Sequence, residues 1–144
     1  IISGEKKSVS FIQSELKKKK IKVIPLKVSA PFHCTLMKPA EKVMSEKIKN
    51  TNFKKPSHKI ITNVTAQEVK EPEEIKKLLI EQICSTVRWR ESIINIFKSG
   101  VKHFVEIGPG KVLSGMVKRT LTANSCFSIN TIDDIKNYNN EFKK

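Results

Sequence analysis

His33 is the first side chain in this sequence whose type and setting could do chemistry. It lies in the stretch Val28-Ser29-Ala30-Pro31-Phe32-His33-Cys34-Thr35-Leu36-Met37-Lys38-Pro39. A β-friendly run leads into that stretch and a helical pattern leaves it at Pro39, which places the histidine in a strand-to-helix turn. Side chains in such turns of α/β proteins tend to face a cleft. Pro31 denies the turn a backbone donor and restrains Ala30 to extended geometry, so the approach to His33 is stiff. Histidine is the side chain suited to proton transfer near neutral pH. A single loop histidine also reads as a surface residue, or as one satisfied within the fold.

Gln82 is the second candidate. It follows Leu79 by three residues, Leu78 by four and Ile75 by seven, so on a helix it points inward with them. An inward glutamine needs hydrogen-bond partners, which makes it either a structural tie or part of a site. Gly108-Pro109-Gly110-Lys111 is the third, since glycines, a helix start and a lysine can cradle an anion. It lacks the spacing and the Ser or Thr of a Walker loop, and a closely packed strand-to-helix turn is the better reading. Cys34, Cys84 and Cys126 are odd in number and have no C-x-x-C spacing, so they read as reduced thiols of a cytoplasmic protein. His33, His58 and His103 likewise lack metal-ligand spacing.

The elements that must position these residues alternate between strand and helix patterns, as in an α/β fold. Residues 1–3 read as a strand end broken by Gly4. Residues 5–19 read as a helix with Val9, Ile12 and Leu16 on one stripe, and residues 21–28 as the second strand of a βαβ-like unit. A helix over 39–50 buries Ala40, Val43, Met44 and Ile48, and Met37 and Met44 belong to the core. Residues 51–59 form a loop and 59–64 a strand. Pro72 opens a helix whose first turn carries Glu73 and Glu74, where carboxylates favour the helix dipole. Trp89, Ile93, Ile94 and Phe97 mark a further helix ended by Gly100. A buried strand over 101–107 precedes the glycine turn, and the helix over 111–122 turns Val112, Leu113, Met116 and Val117 inward. Residues 126–129 form a last strand, and 131–144 a weakly helical tail.

With 144 residues, 38% of them hydrophobic, the chain can bury a core of one domain. No apolar run approaches a membrane span, and the first residues, strand-like and without Met, look like the continuation of a longer chain. Net charge is +14, and all but Arg88, Arg90 and Arg119 of the 28 basic residues are lysine. Nucleic-acid binders lean on arginine, so the charge reads as a lysine-rich solvated surface that would attract an acidic protein or an anionic, phosphate-bearing substrate.

Ser29-Ala30-Pro31-Phe32-His33 with Leu36-Met37-Lys38-Pro39 resembles the catalytic-histidine segment of malonyl-CoA:acyl carrier protein transacylases. Ile1-Ile2-Ser3-Gly4 resembles a strand of that family's small subdomain, and Gln82 through Trp89 its segment after the late helix. Glu106-Ile107-Gly108-Pro109-Gly110-Lys111-Val112-Leu113-Ser114-Gly115 resembles its C-terminal signature. The resemblance runs from residue 1 to about residue 122. It implies the end of a ferredoxin-like small subdomain over 1–28, the C-terminal part of an α/β-hydrolase-like acyltransferase domain over 29–130, and a tail over 131–144.

The activity implied is acyl transfer through a malonyl-serine ester, from malonyl-CoA to the thiol of acyl carrier protein, with no cofactor. By the same resemblance His33 is the general base and Gln82 the residue whose carbonyl orients it, in place of the usual aspartate. The family's Gly-x-Ser-x-Gly elbow occurs nowhere in the chain; Leu113-Ser114-Gly115 is not one. Its malonyl-pairing arginine and oxyanion-hole glutamine also lie outside the match, and Thr86 stands where the family usually has proline. The resemblance therefore implies the C-terminal half of a malonyltransferase, expected to be inactive alone, with a separate N-terminal half of the same enzyme among its candidate partners and a decayed fragment as another reading. The rival reading is a small basic binding module for nucleic acid or acyl carrier protein, without catalysis.

Overall fold

The computed structural model describes residues 1–121 and 125–142, which divide into two compact units, Ile1–Arg88 and Trp89–Lys144. In the first unit, helix α1 spans Lys6–Lys18 and buries none of its residues. Its last turn carries Lys17 and Lys18, favourable at the negative end of the helix dipole, and Lys18 pairs with Glu15 at 2.6 Å. The runs 1–3 and 21–28, expected as strands, form none. A strand is stabilised by its ladder as much as by its residues, and neither run finds a ladder partner among the described residues. Ile21, Ile24, Leu26 and Val28 are instead exposed.

The turn holding His33 therefore follows an irregular segment, not a strand. It enters a single 3-10 turn, Thr35–Met37, that runs directly into helix α2, Lys38–Lys49. Pro39 sits in the first turn of α2, where its missing N–H leaves no partner wanting. None of α2's residues is buried, contrary to the inward stripe expected from its spacing. Val43 is 60% exposed, while Ala40, Met44 and Ile48 line an open cleft rather than a core. Periodicity locates an apolar face, but a face is buried only where another element lies on it.

Strand β1, Ile60–Ile61, is shorter than the run expected over 59–64, because the chain turns at Thr62 and returns as strand β2, Glu68–Val69. The two pair antiparallel, with Ile60 opposite Val69 and Ile61 opposite Glu68. The loop between them is knit by Thr62 N–H to Gln67 O at 3.1 Å and Ala66 N–H to Thr62 O at 2.9 Å. Ala66 takes a left-handed φ of 59° and is only 1% exposed. Helix α3, Pro72–Glu81, begins at the proline with Glu73 and Glu74 in its first turn. Its Ile75 and Leu78 pack with Val69 to form the core of this unit, flanked by Phe53, Val64 and Leu79.

The second unit begins with helix α4, Trp89–Lys98, which buries Ser92 and Ile93 and ends ahead of Gly100 at φ 100°. Strand β3, His103–Ile107, helix α5, Val112–Thr120, and strand β4, Ser125–Ile129, make a β–α–β crossover. β3 and β4 are parallel, in register from His103 opposite Ser125 to Ile107 opposite Ile129. A parallel pair needs a crossover element, and α5 supplies it and packs on both strands. Helix α6, Ile132–Phe142, lies against β4, where Tyr138 meets Phe127 edge to face at 5.5 Å. Thr131 and Asp134 form a capping box for α6. The Thr131 hydroxyl accepts from Asp134 N–H at 3.2 Å, and the Asp134 carboxylate accepts from Thr131 N–H and Asn130 N–H at 2.9 Å each.

The face of α5 also differs from its expected stripe. Val112 and Leu113 are 69% and 43% exposed, whereas Ser114 and Val117 are buried. A buried pair of valine methyls is worth about 1.5–3 kcal/mol against water, and an exposed pair little. Val117→Ala is therefore expected to lower unfolding free energy by about 1.5–3 kcal/mol, and Val112→Ala by less than about 0.5 kcal/mol. Urea denaturation of the two variants checks this; equal losses would show that the two positions are equally buried.

Candidate functional site

The His33 loop is held by short local bonds. Phe32 N–H reaches Ala30 O at 2.9 Å, the Cys34 thiol reaches Pro31 O at 3.1 Å, and Met37 N–H reaches Cys34 O at 3.0 Å. Within it His33 adopts a φ of 61°, a left-handed conformation that costs a non-glycine residue on the order of 1 kcal/mol or more. Such strain persists only where the surroundings over-determine it, and it gathers at functional sites.

The conformation aims the imidazole at the end of α3. His33 Nδ1 lies 3.0 Å from the main-chain oxygen of Gln82, the residue that caps that helix. The last carbonyls of a helix have no partner within it, so this oxygen is free to accept a bond. A carbonyl can only accept, which assigns the proton to Nδ1 and leaves the Nε2 lone pair of the neutral ring available. The contact also sets the ring against the negative end of the helix dipole.

Both readings of Gln82 thus have a physical counterpart, on different atoms. Its main-chain oxygen touches His33, while its side-chain oxygen accepts a 2.9 Å bond from Asn63 Nδ2. Asn63, read from sequence as an interior residue of a strand, lies instead in the β1–β2 loop. Its own carbonyl accepts from Arg88 N–H at 2.8 Å. The only sequence signal for it is a polar residue within the β-friendly run 59–64.

His33 and Gln82 border a cleft of about 540 Å³ between α2 and α3. Its other walls are apolar, chiefly Phe32, Met37, Met44, Ile48, Leu79 and Ile83. Met37 and Met44 accordingly line this cleft and are not core residues. The cleft is open, and its apolar walls are largely the faces of α2 and α3 on which no other described element lies. Beside it the Glu41 carboxylate takes the Cys84 thiol and the Lys38 ammonium, the latter at 2.9 Å. The thiol and the ammonium hold the Glu41 carboxyl below its ordinary range. Burial, and then Glu41, push the Cys84 thiol up, so Cys84 is a neutral donor here and no thiolate nucleophile.

The Gly108–Gly110 turn belongs to the second unit and is built as scaffold. The Glu106 carboxylate accepts from Leu113 N–H at 3.1 Å and Ser114 N–H at 2.7 Å, occupying the α5 N-terminus where an anion would bind. Gly110 N–H is taken by Asn130 Oδ1 at 2.6 Å and Gly108 N–H by Ile129 O at 3.0 Å. The glycines are not there for close packing, as expected from sequence: a Cβ at either position would meet nothing within 4 Å. They are required by φ values of 132° and 99° that side chains rarely adopt. Ser114 is tied down as well, its hydroxyl 2.8 Å from Ser128 Oγ.

The acyl transferase domain family matches residues 1–143 of this chain. The malonyl CoA-acyl carrier protein transacylase of Bacillus subtilis (strain 168) is 46% identical over 121 residues, which cover 83% of this chain and 38% of the relative. That of Staphylococcus aureus (strain COL) is 36% identical over 140 residues, covering 96% of this chain and 46% of the relative. Among solved structures, an acyl-carrier-protein-S-malonyltransferase from Bartonella henselae matches with a TM-score of 0.90 at 34% identity, over 98% of this chain and 45% of that one. A malonyl-transacylase solved in complex with its holo type II PKS acyl-carrier protein matches with a TM-score of 0.87 at 34% identity, over 92% of this chain and 43% of that one. The chain spans less than half the length of the relatives it matches.

The bonds from Ser114 and Leu113 hold the Glu106 carboxyl below its ordinary value of 4.5. A carboxyl depressed by folding adds stability above its unfolded pKa and loses it as pH falls through the folded one. Glu106→Gln is expected to melt below the parent near neutral pH, with the gap narrowing as the pH falls below the ordinary glutamate value. Thermal unfolding across that pH range checks it; a gap that does not depend on pH would show that the carboxylate charge contributes nothing.

Proposed function

The chain belongs to the acyl transferase domain family, and from that premise we propose that it is the C-terminal portion of a malonyl-CoA:acyl carrier protein malonyltransferase. In this reading residues 1–28 end a ferredoxin-like small subdomain, 29–130 belong to an α/β-hydrolase-like acyltransferase domain, and 131–144 form its tail. The observation that carries the proposal is the 3.0 Å contact from His33 Nδ1 to the Gln82 main-chain oxygen, with Nε2 left free beside an apolar cleft. That contact supports reading His33 as a general base and Gln82 as its orienting acceptor.

His33 Nε2 takes the proton of a serine hydroxyl as that oxygen attacks the malonyl thioester of coenzyme A. The tetrahedral intermediate collapses, the carbon–sulfur bond breaks, and the coenzyme A sulfur leaves with the proton returned by His33. The acyl carrier protein thiol then attacks the serine ester, giving its proton to His33, which passes it to the departing serine oxygen. Gln82 holds the ring in the Nδ1–H tautomer throughout both halves. A neutral carbonyl does so without a buried charge.

No Gly-x-Ser-x-Gly occurs in these 144 residues, so in this reading the serine is supplied from outside them, by the N-terminal half of the same enzyme. The reaction needs no cofactor beyond its substrates and takes place in the cytoplasm. The lysine-rich surface suits an acidic carrier protein and the phosphates of coenzyme A.

Reconstitution tests the proposal. The chain is mixed with a separately made segment bearing the elbow serine, and malonyl transfer from coenzyme A to acyl carrier protein is followed. Transfer is expected only with both parts present, and His33→Ala should lower it by about 10²- to 10⁴-fold. Turnover by this chain alone, or turnover indifferent to His33→Ala, would overturn the assignment. Steeply salt-dependent binding to random DNA with no transfer would favour the basic binding module instead.

A further inference from the structure

We propose that Asn63 is the positioning residue that aims the Gln82 carbonyl at His33. The inference rests on His33 being the base, and adds a residue that touches neither the imidazole nor substrate. α3 ends at Glu81, and the chain beyond it is held by single turns, Ile83 N–H to Ile80 O at 3.2 Å and Cys84 N–H to Glu81 O at 3.3 Å. The direction of the Gln82 carbonyl depends on how the peptide plane after residue 82 is rotated, and a frayed helix end leaves such rotation soft.

Asn63 grips this segment at two points. Its Nδ2–H bonds Gln82 Oε1 at 2.9 Å, and its own carbonyl takes Arg88 N–H at 2.8 Å, so residues 82 and 88 are both tied to one residue of the β1–β2 loop. That loop is firm enough to act as an anchor. Thr62 and Thr65 hydroxyls meet at 2.6 Å, Ala66 N–H closes on Thr62 O, and Ala66 is 1% exposed. An asparagine is suited to the task because it offers a donor to the Gln82 amide and a main-chain acceptor to Arg88. The side-chain bond can be removed by mutation while the main-chain bond to Arg88 remains.

The tautomer of His33 reports the aim of the carbonyl without any substrate. In the full chain, long-range ¹H–¹⁵N spectra of the three imidazoles are recorded, with His33 identified by its loss in His33→Gln. The parent should show His33 as the Nδ1–H tautomer. Asn63→Ala is expected to convert it to a mixture of tautomers, while Asn63→Asp, whose carboxylate can accept from the flipped Gln82 amide, restores Nδ1–H. Gln82→Ala removes the same bond from the other side and keeps the main-chain oxygen, so it should match Asn63→Ala, with no further change in the double variant. In the reconstituted reaction Asn63→Ala should lower kcat by up to about a hundredfold with KM unchanged.

A folded Asn63→Ala chain with His33 still wholly Nδ1–H would overturn the inference. If Asn63→Ala does not fold, Gln82→Ala decides by the same criterion. A tautomer change in a chain that never supports transfer would leave Asn63 as the positioner and sink the function proposed above. Transfer with an unmoved tautomer would do the reverse.

Discussion

The bond from His33 Nδ1 to the Gln82 carbonyl is the constraint on which the site depends. It joins residues 49 positions apart in sequence and requires two things at once. The histidine must sit at a left-handed φ, and helix α3 must stop where the carbonyl of Gln82 meets the ring. The first is not favoured locally, and the second is a relation between distant segments. The loop bonds around Pro31, Cys34 and Met37 surround the first, and Asn63 bonds the Gln82 side chain beside the second. The acceptor is a main-chain atom, so any residue at position 82 would supply it, and the Gln82 side chain bears on it only through its bond to Asn63.

Helix ends recur as the working parts of this protein. At the C-terminal end of α3 an orphan carbonyl meets an imidazole. At the N-terminal ends of α5 and α6 the orphan N–H groups meet the carboxylates of Glu106 and Asp134. In both N-terminal cases these hydrogen bonds hold the carboxyl below its ordinary range. The same physics makes a glycine-rich turn before a helix a candidate anion site and, here, disqualifies it. The chain supplies its own anion from the adjoining strand.

Apolar surface remains uncovered within each unit. Ile21, Ile24, Leu26 and Val28 are exposed in the first, and Val105 and Ile107 on the side of β3 away from α5 in the second. Parallel sheets are ordinarily covered on both faces. The cleft between α2 and α3 is apolar for the same reason that these strips are: residues at core-like spacing with no element lying on them. These features fit the proposal that further segments complete the enzyme, as does the share of the relatives that this chain spans.

The sequence by itself determined the existence and kind of most elements. Proline starts, glycine stops, acidic first turns and apolar spacing are local features, and α1, α2, α3, α4, α5, β3 and β4 follow from them to within a few residues. It also singled out His33 and Gln82, by setting in one case and by an inward polar residue in the other. Tertiary structure decided what each of these meets. Residues 21–28 have strand residues but no ladder, and Val112 and Leu113 have core spacing but no cover. Gln82 turns its side chain to Asn63 and its backbone to His33. Local patterns encode which conformation a segment favours and which face is apolar. Pairing, burial and hydrogen-bond partnership are relations between segments distant in sequence, and they exist only once the chain has brought those segments together.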